Sequence, residues 1–398
     1  MKRGCVIGYD INEKGCQISY YDDSMEEPDT MMASSNNYLI PLVLGYFKDR
    51  WVFGKEAKRL AVVGEDCTET DLYGKAKRRE KVSLAGKTYD AVWLLAKYIS
   101  LTLQDFENIQ YLTFTTPETD VDMAKMLKGI GQHIGVDKEI INVQDYKESF
   151  CQYMIFQPKE LWQYESALFY CDEDRIKAYM LRRLRVDASH GMNSFVTVDE
   201  VANAQRKELE ALYPIMNKEK SPDESFKSMI ENVFEKKVIS SVYLTGEGFE
   251  KNWYPNSLRV LCNGRRAFMG NNLYSKGACY KSIRKCEPND DGPIYLDETK
   301  LTERICLRMR VDGQEGWYPL VTWGTHWYEA DGQWEVLLED ASDIEILVES
   351  LVDEEVQVEK VSLEGLPKRT DYSLRLLQCG QSLCRHYRPK LFSMPYSP

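Results

Sequence analysis

Apolar residues come in short runs along this chain, and the spacing within each run predicts the element it forms. Residues 5–9 and 16–21 are two such runs, separated by Asp10 and the turn sequence Ile11-Asn12-Glu13-Lys14-Gly15, the pattern of a β-hairpin. Two more runs between 38 and 51 break at Gly45 and at Lys48-Asp49, and a helix is expected over 55–63. Residues 65–87 are polar and charged and read as a partly exposed stretch. From 90 to 106, Val92, Leu95, Ile99 and Leu103 recur at helical spacing, which predicts a helix with one face in a core. Strands are predicted at 111–115 and 140–143, and helices at 148–156 and at 120–134, where Gly135 supplies the stop.

The pattern then repeats its opening. Residues 167–171 and 176–184 predict a second hairpin, joined by Asp172-Glu173-Asp174-Arg175. A helix is read over 199–212. Ser221-Pro222-Asp223-Glu224 predicts a helix start, with a serine cap, proline at the first position and glutamate at the third. A β-rich run at 240–244 ends in Gly246-Glu247-Gly248, and Gly270 opens a short helix reaching about residue 280. Strands alternating with helices over this span argue for α/β architecture with parallel pairing. Beyond residue 284 the period becomes that of strands alone, at 305–311, 334–338, 344–348, 356–361 and 372–377, with hairpin turns at Asp312-Gly313 and Asp331-Gly332. The expected division is therefore 1–284, α/β, and 285–398, an all-β sandwich, with the boundary at 288–293 and a proline-punctuated tail from 388.

Composition narrows the picture only slightly. The chain has 398 residues, 43% hydrophobic and 12% aromatic, enough to fill sizeable cores. A net charge of −12 disfavours partners that require a basic surface, so no nucleic-acid partner is expected. The start MKRGCVIGYD lacks the apolar stretch of a signal peptide, and no run approaches a membrane span, so no membrane insertion and a cytoplasmic location are expected. The 11 cysteines read as reduced thiols, and Cys379 and Cys384 lack the second pair that a zinc site requires. His133, His190, His326 and His386 have no carboxylate or nucleophile partner at motif spacing.

Several short stretches carry a resemblance. Asp10 closes the first strand. Phe53-Gly54-Lys55-Glu56-Ala57-Lys58 resembles a glycine-x-x-alanine-lysine turn, and residues 111–117 resemble a strand ending in a threonine-valine-proline turn. Gly246 and Gly248 follow a strand, and Gly270 with Gly277-Ala278 lies beyond. In this order the chain resembles the actin, heat-shock-chaperone and sugar-kinase ATPase superfamily, most of all the chaperones and the bacterial cell-division actins. The resemblance covers residues 1–284. It implies a bilobed actin-like, ribonuclease H-like fold and a bacterial, cytoplasmic protein. It also implies ATP or ADP with magnesium, held at Asn12, Gly15, Gly246, Gly248 and Gly270, with Asp10 and Asp145 as catalytic carboxylates. Clustered carboxylates suit hard cations, which makes Asp10, Asp172 and Asp174 the candidate metal ligands.

The phosphate loops depart from that family. After Asp10, where the family has glycine and then serine or threonine, this chain has Asn12 and Glu13. The second loop, glycine-rich in the family, is Asp172-Glu173-Asp174. A carboxylate beside a phosphate costs roughly 4 kcal/mol at 4 Å and an effective dielectric of about 20. The expected function is thus a chaperone-like or scaffold protein with weakened or lost nucleotide binding, acting on a protein or peptide partner. The alternatives are an atypical magnesium-dependent ATPase or, third, a sugar-kinase-like phosphotransferase. The acidic turn has three readings: a solvated turn, a metal site, or a contact for a basic partner. The segment 361–377 resembles the chaperones' substrate-binding sandwich. The aromatic residues Trp317, Tyr318, Trp323, Trp327, Tyr328 and Trp334 read either as core and cross-strand pairs or as a peptide- or carbohydrate-binding surface.

Overall fold

The structure, a computed structural model, describes residues 4–34, 37–63, 67–184, 194–205, 221–286, 292–330, 333–338, 343–351, 356–362 and 370–375. The chain divides into two compact units: Met1–Arg182 with Val198–Asp291, and Arg183–Thr197 with Gly292–Pro398. The second unit therefore takes a short stretch from the middle of the chain in addition to the C-terminal residues.

The first unit is built on two sheets of one topology. In the first, Cys5–Ile11 is central. It pairs antiparallel with its hairpin partner Gly15–Tyr21 on one side and parallel with Ile109–Thr116 on the other, and Ile141–Asp145 adds parallel beyond. In the second, Glu165–Cys171 is central, with Arg175–Leu184 antiparallel, then Ile239–Thr245 and Arg266–Met269 parallel beyond. The central strands are buried almost throughout, which is why each reads as an unbroken apolar run rather than an alternating one.

The helices start where their polar caps stand. Asp90 accepts from the backbone N–H groups of Val92 and Trp93 and opens Ala91–Thr102. Asp120 accepts from Met123 N and opens Val121–His133, beyond which Gly135 takes φ +94°. Ser221 accepts from Glu224 N and opens Pro222–Phe234, whose Phe226, Ile230 and Val233 fill a core with Phe169, Val242 and Leu244.

Two expectations are corrected. The helix read over 199–212 is a strand, Phe195–Gln205, as far as the described residues extend; residues 206–212 lie outside them. Its β-branched and aromatic residues join the second sheet beside Arg175–Leu184, and pairing overrides local propensity. The stretch 65–87 is partly exposed where described, and it contains the helix Leu72–Lys77, with Leu72, Tyr73 and Ala76 buried, and the first strand of the hairpin Lys81–Leu84 and Lys87–Asp90. The short helix expected to end near 280 runs over Leu273–Cys286.

Every described helix or strand of the second unit is a strand. An antiparallel sheet runs in the order Gln314–Val321, Glu303–Val311, Asp343–Ser350, Val356–Ser362, and a two-stranded ribbon pairs Gln333–Leu338 with Thr370–Arg375. Val336 of the ribbon packs on the sheet's core of Leu301, Ile305, Leu307 and Ile346. The aromatic residues do not form one surface: Trp323 is buried with Phe195, Leu296 and Leu351, whereas Trp317 is exposed under Arg308. The Trp334 side chain, Asp331-Gly332, residues 363–369 and 376–398, His190, His386, Cys379 and Cys384 lie outside the described residues.

Candidate functional site

The carboxyl ends of the parallel strands in the first unit collect the polar groups that the sequence singled out, as open α/β sheets generally do. From the first sheet come Asp10, Asn12 and Asp145. From the second come Asp172, Gly246, Gly248 and Gly270.

Asp10 is buried, and its Oδ1 accepts a 2.7 Å hydrogen bond from the Tyr146 hydroxyl. Burial pushes its carboxyl up to about 7, and the Tyr146 bond offsets only part of that rise. Two further phenols feel this charge. Tyr73 is raised by burial and then by Asp10 and Glu13, and Tyr274 by burial and then by neighbouring phenols, Asp10 and Asp145. Tyr146 stacks on Tyr274, with ring centroids 3.7 Å apart and planes 8° from parallel. These two rings stand at the starts of the helices Tyr146–Ile155 and Leu273–Cys286, one following each sheet.

Both helices seat this closely because of glycine. A Cβ on Gly277 would lie 1.9 Å from the Ser149 carbonyl oxygen, and one on Gly8 would lie 2.2 Å from both the Cys279 nitrogen and the Ser275 oxygen. Neither position accepts any side chain without backbone movement.

The two hairpin tips are closed in the same way. Asn12 Oδ1 accepts from the backbone N–H groups of Lys14 (2.9 Å) and Gly15 (3.3 Å), and Asn12 Nδ2 donates to the Tyr146 hydroxyl at 2.9 Å. Asp172 Oδ1 accepts from the N–H groups of Asp174 (2.8 Å) and Arg175 (2.7 Å). In each tip one side-chain oxygen accepts from two backbone N–H groups of its own turn. Lys14 donates to Glu247 in an ion pair joining the first tip to the turn after Ile239–Thr245. Burial alone would lower the Lys14 ammonium; Glu247 outweighs it and raises it.

The glycines face inward. Gly246, at φ +100°, would place a Cβ 2.2 Å from the Cys171 oxygen, and Gly248 one at 2.3 Å from Cys171 Sγ, so both close the turn onto the end of the central strand. Gly246 N donates to Asn271 Oδ1. Gly15 abuts the Ile40 carbonyl oxygen at 2.4 Å by the same measure; Gly270 alone of the expected set has ordinary space, its N–H donating to Leu244 O. Asp145, expected to be catalytic, caps the helix Tyr146–Ile155 by accepting from Glu148 N at 2.8 Å. Among the described residues no three His, Cys, Asp or Glu side chains, Asp10, Asp172 and Asp174 included, group as metal ligands. Glu173 and Asp174 are exposed.

The residues at this junction do not fit a nucleotide with magnesium. Two amide donors of each hairpin tip are occupied from within, the glycine turn is packed against the end of the neighbouring strand at Cys171, and no three carboxylates group as metal ligands among the described residues. The sequence reading missed Tyr73, Tyr146, Tyr274 and Lys14. Tyr146 had a signal, since it directly follows a capping aspartate at the end of a predicted strand.

Residues 27–298 match the C-terminal part of a family of unknown function, DUF5716. The chain belongs to that family. The DUF5716 match begins after the first hairpin, so Asp10 and Asn12 lie outside it; it covers the rest of the first unit with Arg183–Thr197 of the second, and just enters the second unit's C-terminal segment. A domain of unknown function, DUF8552, matches residues 300–378, within the all-β unit. No curated protein matches the chain. Among the described residues of this DUF5716 member, no helix is long and apolar enough to cross a membrane.

Proposed function

We propose that this protein is a chaperone-like or scaffold protein of the actin and heat-shock-chaperone superfamily whose nucleotide site has closed on itself, and that it acts by binding a protein partner. The observation that carries this is the paired closure of the hairpin tips by Asn12 and Asp172. A phosphate would have to displace a side chain already hydrogen-bonded to the same N–H groups, and at the second tip that side chain is a carboxylate. The twofold repetition of one sheet topology supports the superfamily reading. The alternative, an atypical magnesium-dependent ATPase, draws on Asp10. A carboxyl near 7 suits proton transfer at neutral pH.

Calorimetric titration with ATP and ADP, with and without magnesium, separates the two. The proposal expects neither heat nor thermal shift at millimolar nucleotide. Binding tighter than about 100 μM that Asp10→Ala abolishes would overturn it in favour of the ATPase.

A further inference from the structure

The helix Gly54–Val63 packs on one side only. Its Gly54 and Ala57 are buried, and Leu60 and Ala61 lean on the small core of Val43 and Val52. The opposite face carries Lys55, Lys58, Arg59, Val62 and Val63, which are spaced i, i+3, i+4, i+7 and i+8 and form one continuous stripe. Val62 and Val63 are 82% and 77% exposed, the two highest exposures among the large apolar residues described. The same five residues line a shallow depression of about 440 Å³. Glu56, the helix's acid, is engaged off this stripe by Arg50. The three cations form no ion pair among the described residues.

An isolated exposed valine needs no explanation, but two adjacent ones at the end of a row of three cations make a surface with a definite complement. We infer that this face docks a short acidic segment of a partner protein that carries aliphatic side chains. The aliphatic groups would cover Val62 and Val63, and the carboxylates would pair with Lys55, Lys58 and Arg59. The charge balance of the chain selects this occupant. A net −12 repels an anionic membrane or a nucleic acid, which would face the whole molecule, whereas a short peptide meets only the local positive stripe. This inference stands on the helix alone and does not depend on how the hairpin tips are read.

Fluorescence anisotropy on the full chain tests it. The probe is a labelled peptide of about twelve residues, glutamate alternating with leucine in pairs, as fits a helix-sized stripe. Two controls replace every leucine by serine or every glutamate by lysine. The expected result is saturable binding of the acidic leucine peptide, weaker binding of both controls, and loss of affinity at 0.5 M salt, where screening is within roughly 4–5 Å. The triple variant Lys55→Glu, Lys58→Glu, Arg59→Glu should lose about tenfold or more in affinity, and Val62→Ser with Val63→Ser several-fold. These side chains are exposed, so melting curves should stay at wild type; the valine pair gives an independent reading if the charge-reversed chain does not fold. No binding by the wild type, or equal binding by wild type and both variants, overturns the inference. It is also overturned if phosphatidylserine vesicles bind the wild type and not the triple variant, or if the valine pair changes the sedimentation coefficient, which would make the face a membrane or self-association surface.

Discussion

At the residue scale, Asp10 is the most informative position. It lies at the end of a central strand, buried, with Tyr146 donating to it and Tyr73 and Tyr274 nearby. Its carboxyl titrates at about 7 in the fold, against an ordinary 3.8, so between those values the native state holds a proton that the unfolded chain has released. Its contribution to stability is therefore greatest in acid, falls as pH rises from about 4 to about 7, and is flat beyond. Asp10→Asn keeps an oxygen for Tyr146 and removes the ionisation. It should stabilise the protein at pH 8 by on the order of 2–4 kcal/mol and leave stability at pH 4 nearly unchanged. Urea melts at the two pH values would show this, and equal shifts at both would refute the assignment. Asp10 was legible in the sequence as a candidate; its protonation was not, because burial comes from segments far away in the chain.

At the scale of elements, small residues set how closely the helices approach the first sheet and each other. Gly277→Ala puts a methyl carbon against the backbone of the neighbouring helix and should cost about 3 kcal/mol or more. Gly129 is the contrast. It is an exposed helical glycine, nothing lies within 4 Å of the place its methyl group would take, and Gly129→Ala should stabilise by up to about 1 kcal/mol. Denaturant midpoints for the pair give the sign of each effect; a neutral Gly277→Ala would mean that the two helices are not seated as described. The capped helices and the two hairpins were readable beforehand, since Asp90, Asp120, Ser221 and the turn residues each act on backbone within a few positions. The strand Phe195–Gln205 was not, because its conformation is decided by a partner strand rather than by its own residues.

At the scale of the molecule, the second unit is more than the C-terminal residues from Gly292 onward, because it includes Arg183–Thr197. Phe195 sits in one core with Leu296, Trp323 and Leu351, its ring edge-on to Trp323, and Phe195 and Val196 pair with Ile294 and Tyr295. A fragment of residues 292–398 lacks that phenylalanine, a loss comparable to a core Phe→Ala change of about 3–5 kcal/mol. It should melt without cooperativity, and fusing residues 183–197 to its N-terminus should restore a cooperative transition. Equal melting of the two fragments by near-UV circular dichroism would show that the strand is dispensable.

The sequence by itself determined the positions of most helices and hairpins, the change from mixed to all-β patterning, and the polar and acidic makeup of the two hairpin turns. All of these follow from interactions that reach only a few residues along the chain. Tertiary structure alone decided that Asp10 is buried and accepts from the Tyr146 hydroxyl, and that Tyr146 and Tyr274 stack across the junction. It also assigned residues 183–197 to the second unit. The physical reason is range. Capping and turn chemistry are set by local backbone geometry, whereas burial, stacking and strand partnership depend on which distant segments meet, and that is established only when the whole chain packs.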